Sequence, residues 1–174
     1  MRFWERGQAF FLGMAALFLL FSILCRFMTG VILKRLLREA ENMSATKDRT
    51  LRQCKLKFQS CYELNKGCVN TGVFVEKFMQ GLRAGKCSLR FLELLSGQLL
   101  LLSVFSDGLG ACVGLACKKT LGQVLPCYVQ ALFSLYLYFV LASLIDVAGK
   151  REAVKVTVTD FLENRMPVRI DRAK

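Results

Sequence analysis

The sequence predicts an all-α integral membrane protein with three transmembrane helices and a cytoplasmic helical hairpin. Of the 174 residues, 54% are hydrophobic, and they are concentrated in three blocks. A soluble helical domain would instead spread its apolar residues at intervals of three and four. A helix needs about 20 mostly apolar residues to cross the hydrocarbon core of a bilayer. The lysines and arginines fall mainly into two of the gaps around these blocks.

The three apolar blocks cover residues 8–25, 91–105 and 124–145, and the third is the clearest span. The first block can be extended to Leu37 and the second to Cys117. The first block is longer than the apolar region of a typical signal peptide, and no small-x-small cleavage site follows it. We therefore expect it to remain in the protein as a membrane helix.

The distribution of positive charge predicts an orientation. Fourteen of the 25 Lys and Arg residues lie between the first and second blocks, seven follow the third, and four remain: Arg2, Arg6, Lys118 and Lys119. Cytoplasmic flanks of membrane helices are enriched in Lys and Arg. We therefore expect a cell-membrane protein with its N-terminus outside and its C-terminus in the cytoplasm.

This orientation divides the chain into four parts. Residues 1–37 form the first transmembrane helix with a short outer N-terminus, and residues 38–89 form the basic cytoplasmic hairpin. Residues 90–148 form a transmembrane hairpin with a glycine-rich outer turn near 107–122. Residues 149–174 form a cytoplasmic tail helix.

Two helices are expected in the cytoplasmic hairpin. The first continues from the membrane to about Asn65, because no proline interrupts it, and carries a short coiled-coil-like seam of residues three and four apart: Leu51, Cys54, Phe58, Cys61, Asn65 and Cys68. Asn70 or Thr71 then caps a second helix with its own apolar stripe. The stripes either pack against each other or bind a second copy or a partner helix.

The tail has two possible local structures. Val154, Val158, Phe161 and Leu162 would share one face of a helix that ends at Pro167, whereas residues 154–159 also alternate like a strand.

Three acidic residues are candidate intramembrane or interfacial sites: Glu93, Asp107 and Asp146. A second span at residues 99–117 would place Asp107 near the bilayer centre, where a charge is costly, so we expect a span at about 90–106 and Asp107 in the outer turn. The acids either pair with neighbouring basic side chains or form an ion or proton relay that includes Ser96 and Gln98.

Other classes of site lack support in the sequence. The chain has eight cysteines, no histidine and no C-x-x-C pair, so no metal site and no cofactor site are expected. Cysteines in a cytoplasmic loop stay reduced, which argues against a disulfide framework. No nucleophile elbow, phosphate-binding loop or catalytic acid pair is present, so the chain is not expected to be an enzyme.

The net charge of +12 is best explained by its position beside membrane helices. The expected partners are a bilayer with anionic head groups and a second copy or another membrane protein, and no nucleic acid. The order of one span, a large cytoplasmic loop, a two-span hairpin and a cytoplasmic tail resembles that of the TolQ/ExbB/MotA proton-channel subunits. Those proteins carry a Thr-Val-x-Gly stretch in the second span, which residues 94–110 do not match, so the resemblance implies no site residue here. Two functions follow: a scaffold or regulatory subunit of a membrane assembly, or an ion- or proton-conducting subunit.

Overall fold

The protein is all-helical in its computed structural model, which describes residues 2–46, 48–64, 70–84 and 87–166. Apart from one two-residue strand pairing, the described chain consists of helices and short connections: α1 (Arg2–Glu41), α2 (Arg49–Leu64), α3 (Thr71–Gln80), β1 (Arg83–Ala84), β2 (Cys87–Ser88), α4 (Leu89–Ala116), α5 (Leu121–Ile145) and α6 (Val147–Asp160), which continues as a π-helical turn (Phe161–Arg165). Helices α1, α4 and α5 contain stretches that are long and apolar enough to cross a membrane.

The chain divides into two compact units. The first contains Met1–Met28 and Phe91–Ile145, and the second contains Thr29–Arg90 and Asp146–Lys174. The first unit is therefore built from the first part of α1 with α4 and α5, and we call it the three-helix unit. The second, which we call the basic unit, contains the rest of α1 with α2, α3 and α6.

Polar side chains connect the helices of the three-helix unit. The hydroxyl of Ser103 donates to the carbonyl of Ala15 (2.8 Å), and that of Ser106 donates to the carbonyl of Phe11 (2.9 Å). These pairs show that α4 runs antiparallel to α1. Hydrogen bonds between membrane helices average about 0.6 kcal/mol each, so such bonds add stability in a lipid environment.

Two glycines allow close contact around α4. A Cβ atom at Gly110 would lie 3.2 Å from the Cβ of Phe11, and one at Gly114 would lie 3.0 Å from Cγ2 of Val124. Both distances are shorter than the optimal separation of about 3.5–4.0 Å between carbon atoms. The four-residue spacing matches the small-residue pattern common at helix interfaces in membranes.

The outer surface of the three-helix unit is apolar. Large exposed side chains occur on all three helices, and they include Phe10, Phe21, Leu101, Phe105, Leu132 and Phe139. Ordinary soluble proteins rarely expose large contiguous apolar patches. The arrangement, with polar groups inside and apolar groups outside, is the one that a bilayer stabilises.

The basic unit has its own core. On α2 the buried face consists of Leu51, Cys54 and Phe58, while the apolar stripe of α3 packs against α6. The rings of Phe58 and Phe74 meet edge to face with centroids 5.3 Å apart. The α2 and α3 stripes therefore come into contact, as expected, but α3 also packs against the tail helix, which the sequence did not predict.

Helix α6 confirms the helical alternative for the tail. Val154, Val158, Phe161 and Leu162 are all buried, so they share the predicted face. The strand alternative for 154–159 is wrong because that segment is helical. Pro167 lies outside the described residues.

The first expected cytoplasmic helix is interrupted. Helix α1 ends at Glu41 and α2 begins at Arg49. The carboxylate of Asp48 accepts hydrogen bonds from the backbone N–H groups of Thr50 (2.8 Å) and Leu51 (3.4 Å), which caps a new helix. The cap of α3 was predicted correctly, since the Asn70 side chain accepts from the N–H of Val73 at 3.1 Å. The seam residues Asn65 and Cys68 lie outside the described residues.

The glycine-rich segment is helical over more of its length than expected. Helix α4 continues to Ala116, so only residues 117–120 form the connection to α5, and Lys118 adopts a positive φ of 54°. The expected outer turn near 107–122 is therefore wrong for residues 107–116 and 121–122, which are helical. In an apolar environment a continuous helix pairs every backbone group, and Gly110 and Gly114 serve close packing there.

Candidate functional site

The inner face of α4 gathers the polar groups of the three-helix unit. Ser96, Ser103, Ser106 and Asp107 are all buried there, and Gly110 follows one turn later. Ser96 accepts a bond from the Ser22 hydroxyl at its backbone carbonyl (2.6 Å). The serines at these positions thus connect α4 to α1, and Asp107 lies among them.

Asp107 is the buried acid of this face. Its side chain is 1% exposed, and within the described part of the chain neither carboxylate oxygen has a hydrogen-bond partner. A charged side chain at the centre of a membrane helix costs about 2.5–3.5 kcal/mol on insertion scales, and such residues usually mark functional positions. Asp107 is one of the three candidate acids, and it lies within α4 instead of in the expected outer turn.

A second polar group lies near the α4–α5 connection. The Gln8 amide donates to the carbonyl of Gln123 (2.8 Å) and its oxygen accepts from the ammonium group of Lys119 (2.6 Å). Gly114 lies beside this amide, since its Cβ position is 3.6 Å from the Gln8 side-chain oxygen. Lys119 is therefore held at this end of the unit by a neutral side chain.

The other two candidate acids occupy different environments. Glu93 lies at the start of α4 and is half-buried, and the Ser96 hydroxyl donates to its backbone carbonyl (2.9 Å). Asp146 is exposed, has a φ of 43°, and caps α6 by accepting from the N–H of Gly149 (3.0 Å). Its position thus indicates a structural role at the α5–α6 junction.

Glu93 and Asp107 lie far apart along α4, so their side chains do not contact each other. Fourteen residues separate Glu93 from Asp107 on one helix, which corresponds to about 21 Å at 1.5 Å per residue. Gln98, which the relay would include, is exposed, whereas Ser96 is buried.

An apolar groove lies between α1 and α5. It has a volume of about 740 Å³, and its lining includes Leu12, Leu19, Ile23, Val129, Phe133 and Ser134. Gln130 borders it and donates to the carbonyl of Leu12 (3.0 Å). The groove is open at the apolar outer surface of the unit, so we assign it no ligand.

The cysteines differ in accessibility. Burial raises the pKa of the Cys54 thiol to about 12, and the positive charge of Lys57 acts in the opposite direction. Cys61, on the same helix, is half-exposed, Cys117 at the α4–α5 connection is half-exposed, and Cys127 is buried. Cys61 and Cys117 therefore serve as reporters of their surroundings, whereas Cys54 is unreactive at neutral pH.

In the described ranges, no group of three or more His, Cys, Asp or Glu side chains is arranged to hold a metal ion. Comparisons with protein-family models, with curated proteins and with solved structures found no match to this chain.

The polar contacts across the three-helix unit were not predicted from the sequence. Gln8, Ser22 and Gln130 stand singly within apolar blocks, where they look like incidental polar residues. On α4, by contrast, the sequence did contain a signal. Small and polar residues recur there at intervals of three, four and seven residues, which defines one face of a helix: Ser96, Ser103, Asp107, Gly110 and Gly114.

Proposed function

We propose that this chain is a multi-pass protein of the cell membrane that acts as a scaffold or regulatory subunit of a membrane assembly. One observation carries the proposal: the chain divides into a three-helix unit with a lipid-compatible exterior and a helical unit whose surface is basic. On α2, Arg49, Arg52 and Lys57 are exposed. Such a surface would attract anionic lipid head groups and acidic partner surfaces.

The proposed orientation places the N-terminus outside and the basic unit in the cytoplasm. It is supported by the asymmetric distribution of Lys and Arg between the apolar blocks. In this orientation Cys117 lies at the outer end of α4, and Cys61 lies inside the cell.

Two single-cysteine variants test the orientation. One retains Cys61 and the other retains Cys117, with the remaining cysteines replaced by alanine. An impermeant thiol reagent should label Cys117 in intact cells and Cys61 only in inverted vesicles. The opposite result would invert the topology, and a chain that remains monodisperse without detergent would contradict membrane insertion.

The scaffold function is tested by the mass of the native assembly. The chain itself has a mass of 19.6 kDa. After mild detergent extraction from its own cells, light scattering should give a protein mass several times larger. The double variant Arg52→Glu, Lys57→Glu should reduce that mass, whereas Lys118→Glu, an exposed change in the α4–α5 connection, should not. A wild-type protein mass equal to one chain would contradict the proposal.

A second candidate function is an ion- or proton-conducting subunit, which the burial of Asp107 inside the three-helix unit favours. It predicts flux in reconstituted vesicles that is lost when an acid is neutralised. Unchanged flux in Glu93→Gln, Asp107→Asn and Asp146→Asn would eliminate it.

A further inference from the structure

Asp107 lies between two contacts of α4 with α1. One turn before it, Ser103 binds the Ala15 carbonyl, and one turn after it, Gly110 abuts Phe11. The carboxyl group is therefore directed into the interior of the unit, where it is 1% exposed.

The hydroxyl groups that flank Asp107 on α4, and the Gln8 amide, already donate to carbonyl oxygens. The hydroxyl groups of Ser103 and Ser106 donate to carbonyl oxygens of α1. The Gln8 amide donates to the Gln123 carbonyl. Both oxygens of Asp107 are left without a partner among the described residues.

Among the side chains that the structure describes, no ion pair is formed with this carboxyl group. On α5, residues 121–145 include no acidic or basic side chain, and the titratable group that approaches this part of α4 is the buried thiol of Cys127, 3.5 Å from the Cβ position of Gly110. On α1, from residue 7 to residue 25, the sequence has no acidic or basic residue. Lys119 is held by Gln8 at the end of the unit.

An isolated carboxylate in this environment is strongly disfavoured, because it has lost its hydration and gained no compensating bond. One positive charge must accompany it. A metal ion would need several oxygen ligands, and the described residues hold no cluster of metal-binding side chains. We propose that Asp107 is a proton-binding site inside the three-helix unit. The inference rests on the proposed membrane placement of α4.

Proton release would require water or a cation to reach the carboxylate. Because Asp107 lies in the α1–α4 contact, ionisation should loosen that contact. The Cys127 thiol, which is 1% exposed and lies 3.5 Å from the Gln8 amide nitrogen of α1, should then become accessible. The site thus couples the protonation of one side chain to the packing of two helices.

Infrared spectroscopy of the full chain in lipid vesicles tests the site directly. At neutral pH, the spectrum should contain the C=O stretch of one protonated carboxylic acid per chain. The band should shift when aspartate is isotopically labelled. It should disappear in Asp107→Asn and remain in the matched variants Glu93→Gln and Asp146→Asn.

Three results would overturn the proposal. They are the absence of an acid band in the wild-type chain, a band that persists in Asp107→Asn, and an Asp107 carboxylate signal that depends on sodium or potassium ions at constant pH. Isotopic labelling needs no variant, so the test remains decisive if Asp107→Asn fails to fold. Failure of vesicle insertion itself would instead contradict the proposed membrane placement.

The coupling to packing has its own measurement. In a chain whose only cysteine is Cys127, the labelling rate with a membrane-permeant thiol reagent should rise more steeply with pH than in the same chain with Asp107→Asn. The comparison removes the intrinsic pH dependence of the thiol. We expect at least a tenfold difference between the two chains at alkaline pH, and equal pH profiles would refute the coupling.

Discussion

The packing of Gly114 against Val124 gives a sharp prediction. A Cβ atom at position 114 would lie 3.0 Å from Cγ2 of Val124. Carbon atoms pack best at about 3.5–4.0 Å, so α4 and α5 must separate by about 0.5–1 Å or the Val124 side chain must rotate. Overpacking of a well-packed core typically costs about 1–3 kcal/mol. Relative to a glycine-to-alanine change at an open position of the same helix, Gly114→Ala should therefore lower the free energy of unfolding of the three-helix unit by about that amount.

Gly108→Ala is the matched control. It lies on the same helix, and a Cβ atom there would meet nothing within 4 Å. Both substitutions remove the same backbone flexibility, which stabilises a helix by up to about 1 kcal/mol. The difference between the two variants therefore isolates the contact with Val124.

Thiol labelling of Cys127 supplies the assay. This side chain is buried and packs in the cluster formed with Ala111 and Val124. In detergent micelles, with Cys127 as the only cysteine, labelling through the opened state should accelerate about 5- to 150-fold in Gly114→Ala relative to Gly108→Ala, since each 1.4 kcal/mol is a factor of ten. Equal labelling rates in the two variants would refute the packing of α4 against α5.

Three further predictions follow from single contacts. Ser103→Ala removes the hydroxyl that binds the Ala15 carbonyl. It should destabilise the three-helix unit by about 0.6 kcal/mol, and by no more than about 1.7 kcal/mol, in detergent-titrated unfolding. Ser143→Ala, at an exposed position, is the control, and equal unfolding midpoints for the two variants would contradict the contact. Asp146→Ala removes the cap of α6 and leaves alanine at a φ of 43°, so it should lower the free energy of unfolding by about 1–2 kcal/mol in thermal unfolding. Asp146→Asn keeps a capping oxygen and tolerates this conformation, so it should change that free energy little. A larger loss than this in the asparagine variant would show that the acid does more than cap. In the folded chain at neutral pH, Cys61 should react with a thiol reagent at least tenfold faster than Cys54, because Cys54 is buried and its pKa is raised to about 12. The difference in rate should vanish in denaturant. Equal rates in the folded chain would place α2 in another orientation.

Much of the architecture could be predicted because it depends on local patterns. The apolar block at 124–145 is long and free of charge, and it forms α5 almost residue for residue. The Asn70 cap and the buried stripe of the tail helix likewise depend on neighbouring residues. The three long apolar helices were predicted for the same reason.

The errors arose where neighbouring helices decide the outcome. Gly108, Gly110 and Gly114 weaken an isolated helix, so they suggested a turn. In the structure, α1 and α5 pack against Gly110 and Gly114, and the close contact favours the helix. The burial of Asp107 follows from that continued helix, so its environment could not be deduced from sequence alone.

The most direct test of the account is the lipid exposure of individual side chains. A lipid-soluble photoreactive carbene should label peptides from α1, α4 and α5, and on α4 it should modify Phe105 and Leu101 but not Ser103 or Asp107. Peptides from α2, α3 and α6 should carry little label. Strong labelling of the basic unit, or equal labelling of both faces of α4, would contradict a membrane-embedded three-helix unit with a polar interior.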